Sequence, residues 1–314
     1  MSEKKIVVLT KVPVLPYAMD YLTYCTHCST YGLGERKCSK CDKIENVSLD
    51  IIAEKTVHRH LVIRIGIALI AYALLYVLSI NLLQLFFCTF FLGLLIVANI
   101  FIYKKYKKQF IARELELHIN ANIDKIKQDL KNQLQAAINE VDQDNLDAAY
   151  DRLRYLSNLM DNEEIRTFKL ICLRQFDLRS DMPLEMNSLL QKDCNTYLLD
   201  YIYEVSKVRK DLIDEDTILY MLEFKEQVLT KKKGPQMMAS ILEASLRSKY
   251  LLAKYAKYML GYVRYFSKER LLRLCKMSHC IEDKVVRYAL IEEVKEIVGN
   301  DDDFTKYFAQ LEEA

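Results

Sequence analysis

The stretch that decides the fold is a pair of apolar segments, Leu61–Ile80 (LVIRIGIALIAYALLYVLSI) and Leu82–Tyr103 (LLQLFFCTFFLGLLIVANIFIY). Each has about the twenty residues that an α-helix needs to cross a hydrocarbon core roughly 30 Å thick. Arg64, the only charged residue in either segment, lies one turn inside the boundary, where a long side chain reaches the lipid headgroups. The sequence therefore predicts a two-helix transmembrane hairpin (residues 55–108) with a very short turn at Asn81. The alternative is a helical hairpin buried in a soluble core.

Basic residues flank the hairpin at both ends, with Lys55 and Arg59 before it. Two crossings return the chain to the side on which it started, and positively charged flanks stay in the cytosol. We therefore predict that both termini are cytosolic. The composition, rich in Ile, Lys, Asn and Tyr without Trp, favours a bacterium and hence an integral protein of the bacterial cytoplasmic membrane. The basic cluster after the hairpin is expected to contact anionic headgroups; it comprises Lys104, Lys105, Lys107 and Lys108.

Two C-x-x-C motifs precede the hairpin, Cys25-Thr-His-Cys28 and Cys38-Ser-Lys-Cys41, separated by nine residues. Each motif presents two sulfurs to one side, so that together they surround a single ion tetrahedrally. Soft thiolate ligands in this geometry favour Zn²⁺. Four cysteines fill the coordination shell, so the predicted role of the zinc is structural, and it supplies most of the folding energy of so small a module. A CxxC redox pair and an iron site are the alternatives.

The stretch Cys25–Cys41 resembles the short zinc-ribbon modules at the N-termini of bacterial membrane proteins. It departs from their pattern because Asp42 stands where a Gly usually follows the second pair. The resemblance implies a zinc-ribbon domain, which we place at residues 1–54. Within it, the Val- and Ile-rich segment Lys5–Leu15 predicts a short strand, and Gly32 and Gly34 permit the chain reversal between the cysteine pairs.

After the hairpin the sequence predicts only helices, so the fold class is mainly α. Residues 109–143 read as a juxtamembrane helix, because apolar residues recur in steps of three and four. This helix extends the second apolar helix as a stalk, pairs as a coiled coil, or packs on its own domain. Its apolar stripe comprises Leu115, Ile119, Ile123, Ile126, Leu130, Leu134 and Ile138.

Residues 144–314 contain shorter helices in units of roughly 35 to 45 residues, the period of helical repeats. Asp283–Ala289 followed by Val294 is similar to the second helix of a HEAT repeat, and Asp147–Leu159 is similar to a tetratricopeptide helix. These resemblances imply an α-solenoid-like cytosolic domain. Such stacked helix pairs present extended surfaces that bind partners.

One segment of this domain is strongly basic: nine basic residues and one acidic residue, Glu269, lie between Arg247 and Lys276. On a helix its basic residues and tyrosines form two stripes about 100° apart. One interpretation is a surface for an acidic partner or anionic headgroups, since tyrosines suit interfaces. The other is that the tyrosines pack on a neighbouring helix and the lysines face solvent. The candidate partner-binding residues are Lys254, Lys257, Arg264, Lys268, Tyr255, Tyr258, Tyr262 and Tyr265.

The sequence lacks the motifs of the common enzyme classes. It has no G-x-G-x-x-G, no G-x-x-x-x-G-K-[ST] and no H-E-x-x-H. We therefore expect no enzymatic activity, but a membrane-anchored adaptor or regulatory scaffold that presents a zinc ribbon and a helical domain to cytosolic proteins. Alternatives are an accessory subunit of a larger transport, secretion or defence complex, and a cytosolic metal or redox sensor. A nucleic-acid partner is not expected, and the sequence predicts no oligomeric state.

Overall fold

The computed structural model describes residues 4–13, 15–34, 38, 40–41, 43–78, 82–299, 301, 303–304 and 307–308. In these parts the chain is mainly helical, as predicted, with one small three-stranded sheet near the N-terminus. It divides into two compact units. The ribbon–hairpin unit comprises residues 12–143 and 152–161, and the helical unit comprises residues 1–11, 144–151 and 162–314.

The sheet of the ribbon–hairpin unit is antiparallel, with strand order β2–β1–β3. Its strands are β1 (Leu22–Cys25), β2 (Tyr31–Leu33) and β3 (Asn46–Ser48). Thr23 in the central strand lies opposite residue 32 of β2 and residue 48 of β3. The third strand leads directly into the first long helix, so the sheet is joined to the hairpin without a linker.

The hairpin consists of α1 (Leu49–Leu78) and α2 (Leu82–Ala121). Their 30 and 40 residues give lengths of about 45 and 60 Å at 1.5 Å per residue. Both are long and apolar enough to cross a membrane, and no residue in the most apolar window of either helix is buried. The structure thus differs from a hairpin buried in a soluble core. The turn predicted at Asn81 lies outside the described residues.

The second helix continues well beyond the apolar segment, as the stalk alternative predicted. It ends at Ala121, and α3 (Ile123–Asp142) begins after a single intervening residue. That residue, Asn122, leaves the helical conformation (φ −119°, ψ 14°), and its side-chain amide donates a hydrogen bond to the His118 carbonyl at 2.8 Å. The predicted apolar stripe is therefore divided between two helices, and its buried part is Ile126, Leu130 and Leu134.

In the residues that the structure describes, the helical unit contains nine further α-helices, of which the first, α4, contributes its C-terminal residues to the other unit. Polar residues cap several helix starts. Asn162 and Asn195 accept hydrogen bonds from the first-turn amides of the helices they precede, and Asp214 and Asp283 do the same. The helices are α4 (Leu146–Leu159), α5 (Glu163–Gln175), α6 (Thr196–Val208), α7 (Glu215–Glu223), α8 (Lys225–Leu229), α9 (Gly234–Ser245), α10 (Lys249–Met259), α11 (Lys268–Met277) and α12 (Lys284–Val298).

The centre of the helical unit is α9. It contacts α6, α7, α8 and α10, and its buried residues include Met237, Met238, Ile241 and Leu242. A helix that is apolar on most sides lies in the core of its domain. The neighbouring helices of the helical unit therefore surround α9. The solenoid-like arrangement that the repeat resemblances implied stays a prediction.

The N-terminal segment differs from its prediction. Lys5 forms an isolated parallel bridge with Phe176, in which its N–H donates to the Gln175 carbonyl at 2.7 Å. Its ammonium group lies 2.5 Å from a carboxylate oxygen of Asp144. The described part of Lys5–Leu15 forms no strand of the ribbon sheet, and residues up to Lys11 belong to the helical unit. Exposed and less exposed side chains alternate from Lys4 to Thr10, as is typical of a strand, but among the described residues this segment pairs only through the Lys5–Phe176 bridge.

Candidate metal centre

The four cysteines of the two C-x-x-C motifs meet at one point. Cys25 ends β1 and Cys28 lies in the turn that leads to β2, whereas Cys38 and Cys41 lie between β2 and β3. All four sulfur atoms lie within 4.8 Å of one another. The Cys25 and Cys41 sulfurs are 3.6 Å apart, and the Cys28 and Cys38 sulfurs are 3.5 Å apart. The predicted convergence of the four thiols is confirmed.

These distances fit four ligands of one metal ion. A disulfide brings two sulfurs to about 2.0 Å, so neither pair is bonded. A tetrahedral site with metal–sulfur bonds of about 2.3 Å places its sulfurs about 3.8 Å apart. The observed spacings are close to that value, and Cys25 and Cys38 are buried. The cluster can therefore hold one ion with all four sulfurs as ligands.

The first cysteine turn is held by backbone hydrogen bonds. The Cys25 N–H donates to the Thr30 carbonyl at 2.9 Å, and the Ser29 N–H donates to the Cys25 carbonyl at 2.9 Å. Ser29 adopts φ +57°, the left-handed conformation that a Gly most often occupies. The Thr30 hydroxyl lies 2.9 Å from the Cys28 sulfur. This turn aims both sulfurs at the cluster and supplies a hydroxyl donor to one of them.

The second cysteine turn distributes charge unevenly over the thiols. Burial acts to raise the pKa of Cys38, but hydrogen bonds from the backbone N–H groups of Cys41 and Lys40 and from neighbouring side chains lower it to about 6. For Cys41, the backbone N–H of Lys43 lowers the pKa, yet burial and the three neighbouring sulfurs outweigh it and raise the value to about 12. Four thiolates so close together repel one another, and a dication removes that repulsion.

The cysteine cluster is attached to the stalk, formed by the end of α2 and by α3, through Tyr31, the first residue of β2. The Tyr31 N–H donates to an Asp129 carboxylate oxygen at 2.9 Å, and its hydroxyl lies 3.1 Å from Nε2 of His118. Its ring packs 5.1 Å from that of Tyr24, and only 1% of Tyr31 is exposed. Burial, Tyr24 and the Asp129 charge raise the pKa of the Tyr31 phenol to about 12. The phenol is therefore neutral at physiological pH. The sequence analysis did not find this contact.

Of the two glycines between the cysteine pairs, Gly34 is the one that the structure requires. It adopts φ +46°, and a Cβ atom there would lie 2.6 Å from Cε1 of Tyr155. We expect Gly34→Ala to destabilise the ribbon by about 2 kcal/mol or more, from the left-handed backbone and the steric overlap together. Hydrogen exchange of the β2 amides in the full chain measures this loss.

Gly32→Ala is the matched control for that substitution. A Cβ atom at Gly32 would lie 3.3 Å from side-chain atoms of Asn46 and Thr23, and its φ is not left-handed. We expect a smaller effect on the same amides. Equal hydrogen-exchange protection of the β2 amides in the Gly34→Ala protein and in the unaltered protein would contradict the requirement for glycine at this position.

The predicted partner-binding residues do not lie on one helix. Helix α10 ends at Met259, Gly261 adopts φ +82°, and a short 3-10 turn precedes α11. The two continuous stripes drawn on a single helix are therefore wrong for this segment. Lys254, Lys257, Tyr255 and Tyr258 are on α10, Tyr262, Arg264 and Tyr265 lie in or beside the 3-10 turn, and Lys268 begins α11.

These eight residues also differ in exposure and pairing. Tyr255 and Tyr262 are buried, whereas Tyr258 and Tyr265 are 37% and 41% exposed. Lys254 pairs with Glu215 at 2.5 Å, and Lys268 pairs with Asp301 and Asp303 at 2.7 and 2.8 Å. These carboxylates raise the pKa of both lysines. Within the described chain no carboxylate pairs with the remaining two cations, so the available surface reduces to Lys257, Tyr258, Arg264 and Tyr265.

The basic cluster that follows the second apolar segment lies on α2, where Lys104, Lys105 and Lys108 are exposed. Lys107 instead pairs with Glu54 of α1 at 2.5 Å. The hydrogen bond between them raises the pKa of Lys107 and lowers the pKa of Glu54. The cluster thus offers three exposed lysines and one that links the two helices.

Comparisons of the chain with protein families, with curated proteins and with solved structures find no match.

Proposed function

We propose that this protein is a membrane-anchored adaptor in the bacterial cytoplasmic membrane. Its hairpin crosses the bilayer twice, and its zinc ribbon and helical unit hold protein partners at the cytosolic face. The observation that carries the proposal is a pair of long apolar helices whose apolar windows are entirely unburied, joined directly to a closed four-sulfur cluster. The proposed role is binding and positioning, without catalysis.

The exposed surface of the hairpin supports the membrane assignment. Ile67, Phe86 and Phe91 are each more than 60% exposed, and similar side chains cover both helices. In water an apolar surface of this extent is strongly unfavourable. In a bilayer the same side chains face lipid, and the helical backbone satisfies its own hydrogen bonds.

The orientation follows from the pairing of the two helices. Glu54 pairs with Lys107, and the ring of His58 lies 6.4 Å from that of Tyr103. The basic residues at the start of α1 and after the apolar part of α2 therefore lie at the same end of the hairpin. By the positive-inside rule that end faces the cytosol, and we place the ribbon and the helical unit on the cytosolic side of the membrane.

We assign the ion in the cysteine cluster as Zn²⁺ in a structural role. Thiolate ligands select soft or borderline metals, and a tetrahedral set of four sulfurs is typical of structural zinc. With four protein ligands there is no open position for water or substrate. The ribbon then serves as a rigid surface close to the membrane.

The test of the adaptor function is affinity purification in mild detergent followed by mass spectrometry. We expect Lys257→Glu with Arg264→Glu to release a protein partner that the unaltered chain retains, because both cations are exposed and form no ion pair with a described carboxylate. Lys232→Glu with Lys233→Glu is the matched control, since it reverses two exposed charges elsewhere in the same unit. The adaptor function is wrong if all preparations contain this chain alone, or if the two double variants behave identically.

A further inference from the structure

Arg64 lies in the apolar part of α1 without an ionic partner. Among the residues that the structure describes, no carboxylate forms an ion pair with it. Asn99 of α2 lines the same groove, but its amide group donates to the Leu95 carbonyl at 2.9 Å. One turn inside the boundary the guanidinium of Arg64 reaches the level of the headgroups, where an anion is its most favourable partner. The described chain supplies no such anion at Arg64.

The groove around Arg64 is a cavity along the contact between α1 and α2. It has a volume of about 270 Å³, and its polar lining includes His60, Arg64, Asn99 and Arg113. Its carboxylate, Glu114, lies fifteen residues beyond Asn99 in α2, about 22 Å along the helix axis. The end of the groove that enters the apolar segment is therefore cationic.

Another cavity lies further along the same two helices, and its lining is mostly apolar. It has a volume of about 460 Å³, and Ala68 and Ala71 of α1 face Phe87 and Phe91 of α2 across it. Ala68 and Ala71 come four and seven residues after Arg64, so they continue the same helix face. The two alanines leave the space that a larger side chain would fill. Between α1 and α2, the cationic end of the groove at Arg64 is therefore followed by an apolar channel at Ala68 and Ala71.

We propose that this groove binds one anionic phospholipid, with its phosphate at Arg64 and one acyl chain along the alanine channel. The inference rests on the proposal that the hairpin crosses the membrane. A phosphate accepts two parallel hydrogen bonds from a guanidinium, the geometry in which arginine binds oxyanions best. His60, one turn before Arg64 on the same face, adds a second donor beside the headgroup.

A phospholipid fits this groove better than a second copy of the chain. In a two-fold dimer built on this groove, the partner's arginine would approach at the same depth, and two unpaired cations would repel in an apolar medium. A lipid brings the missing negative charge and the apolar chain in one molecule. Its headgroup also reaches the bilayer surface, where Lys104 and Lys105 lie exposed.

The experiment is native mass spectrometry of the full chain in mild detergent, titrated with phosphatidylglycerol or with phosphatidylcholine of the same acyl chains. We expect one phosphatidylglycerol per chain, bound in preference to phosphatidylcholine. Arg64→Gln should weaken phosphatidylglycerol binding about tenfold, the factor typical of one charge-assisted hydrogen bond. Arg59→Gln is the matched control, because Arg59 is an exposed arginine of the same helix that lines neither cavity. It should bind like the unaltered protein.

A second variant tests the channel with the charge intact. Ala71→Leu fills the apolar cavity and should weaken the binding of both lipids. Equal binding of the two lipids by the unaltered chain, or equal behaviour of the Arg64 and Arg59 variants, would overturn the inference, as would a lipid-free dimer. Alkaline extraction of membranes separates the two proposals. Release of the unaltered chain would refute the crossing itself, whereas a retained chain without lipid preference refutes only the lipid site.

Discussion

Replacing both Cys25 and Cys28 by serine is expected to abolish metal binding and to unfold the ribbon. The sheet has three strands of three or four residues, and so small a sheet is not stable by itself. Structural zinc contributes about 10–16 kcal/mol in small modules of this kind. Elemental analysis of the purified chain should show one zinc in the unaltered protein and almost none in the variant. Alkylation of Cys38 and Cys41 should become rapid at the same time.

Cys194→Ser is the control for this experiment. Cys194 is a partly exposed thiol of the helical unit, far in sequence from the four-sulfur cluster. Its loss should leave one zinc per chain. A double variant that retains zinc with unchanged affinity would contradict the four-ligand site. Weak, readily reversible zinc binding by the unaltered protein would instead favour the metal-sensor alternative.

Glu185→Ala is expected to destabilise the helical unit by about 3–5 kcal/mol. The Lys169 ammonium group pairs with the Glu185 carboxylate, and the Lys169 side chain is completely buried. Without the carboxylate, the buried Lys169 cation loses this ion pair. The Ser188 hydroxyl, which donates to Glu185 at 2.6 Å, also loses its acceptor. Alkylation of the buried Cys172, followed by peptide mass spectrometry across a denaturant series, reports this change in the full chain.

Lys169→Met is the informative comparison, because it removes the other half of the pair. Glu185 is 23% exposed and keeps the Ser188 hydrogen bond, so its charge remains partly solvated. We expect a loss of about 1–2 kcal/mol, and a partial recovery when Lys169→Met is combined with Glu185→Gln. Equal losses in the two single variants would show that the buried cation does not dominate the energetics.

The sequence was informative wherever the determining signal was local. The apolar segments, the C-x-x-C spacing and the mainly helical class could all be predicted from it. Asn162, Asp214 and Gly234 stand at the starts of α5, α7 and α9, and each is a residue type that sequence patterns associate with helix boundaries. These residues cap a helix or leave it for reasons that depend on a few neighbours.

Contacts between distant residues could not be predicted in the same way. His118 and Asp129 are 87 and 98 residues from Tyr31, and no periodicity connects them. The predicted tyrosine and lysine stripes were wrong because they assumed one unbroken helix through Gly261. Lys254 looked available for a partner, yet its carboxylate lies 39 residues earlier. Whether a surface charge is free depends on tertiary structure that local patterns do not encode.

Tyr31 links the cysteine cluster to the break between α2 and α3. It touches both sides of the helix break at Asn122, through His118 in α2 and through Asp129 in α3. The angle between these helices is therefore fixed by a strand that begins three residues after a metal ligand. If metal binding favours the observed bend, reciprocity requires that a force straightening the stalk weakens metal affinity and that metal occupancy stiffens the bend. The bend of the stalk and metal binding by the four thiols are then coupled through Tyr31.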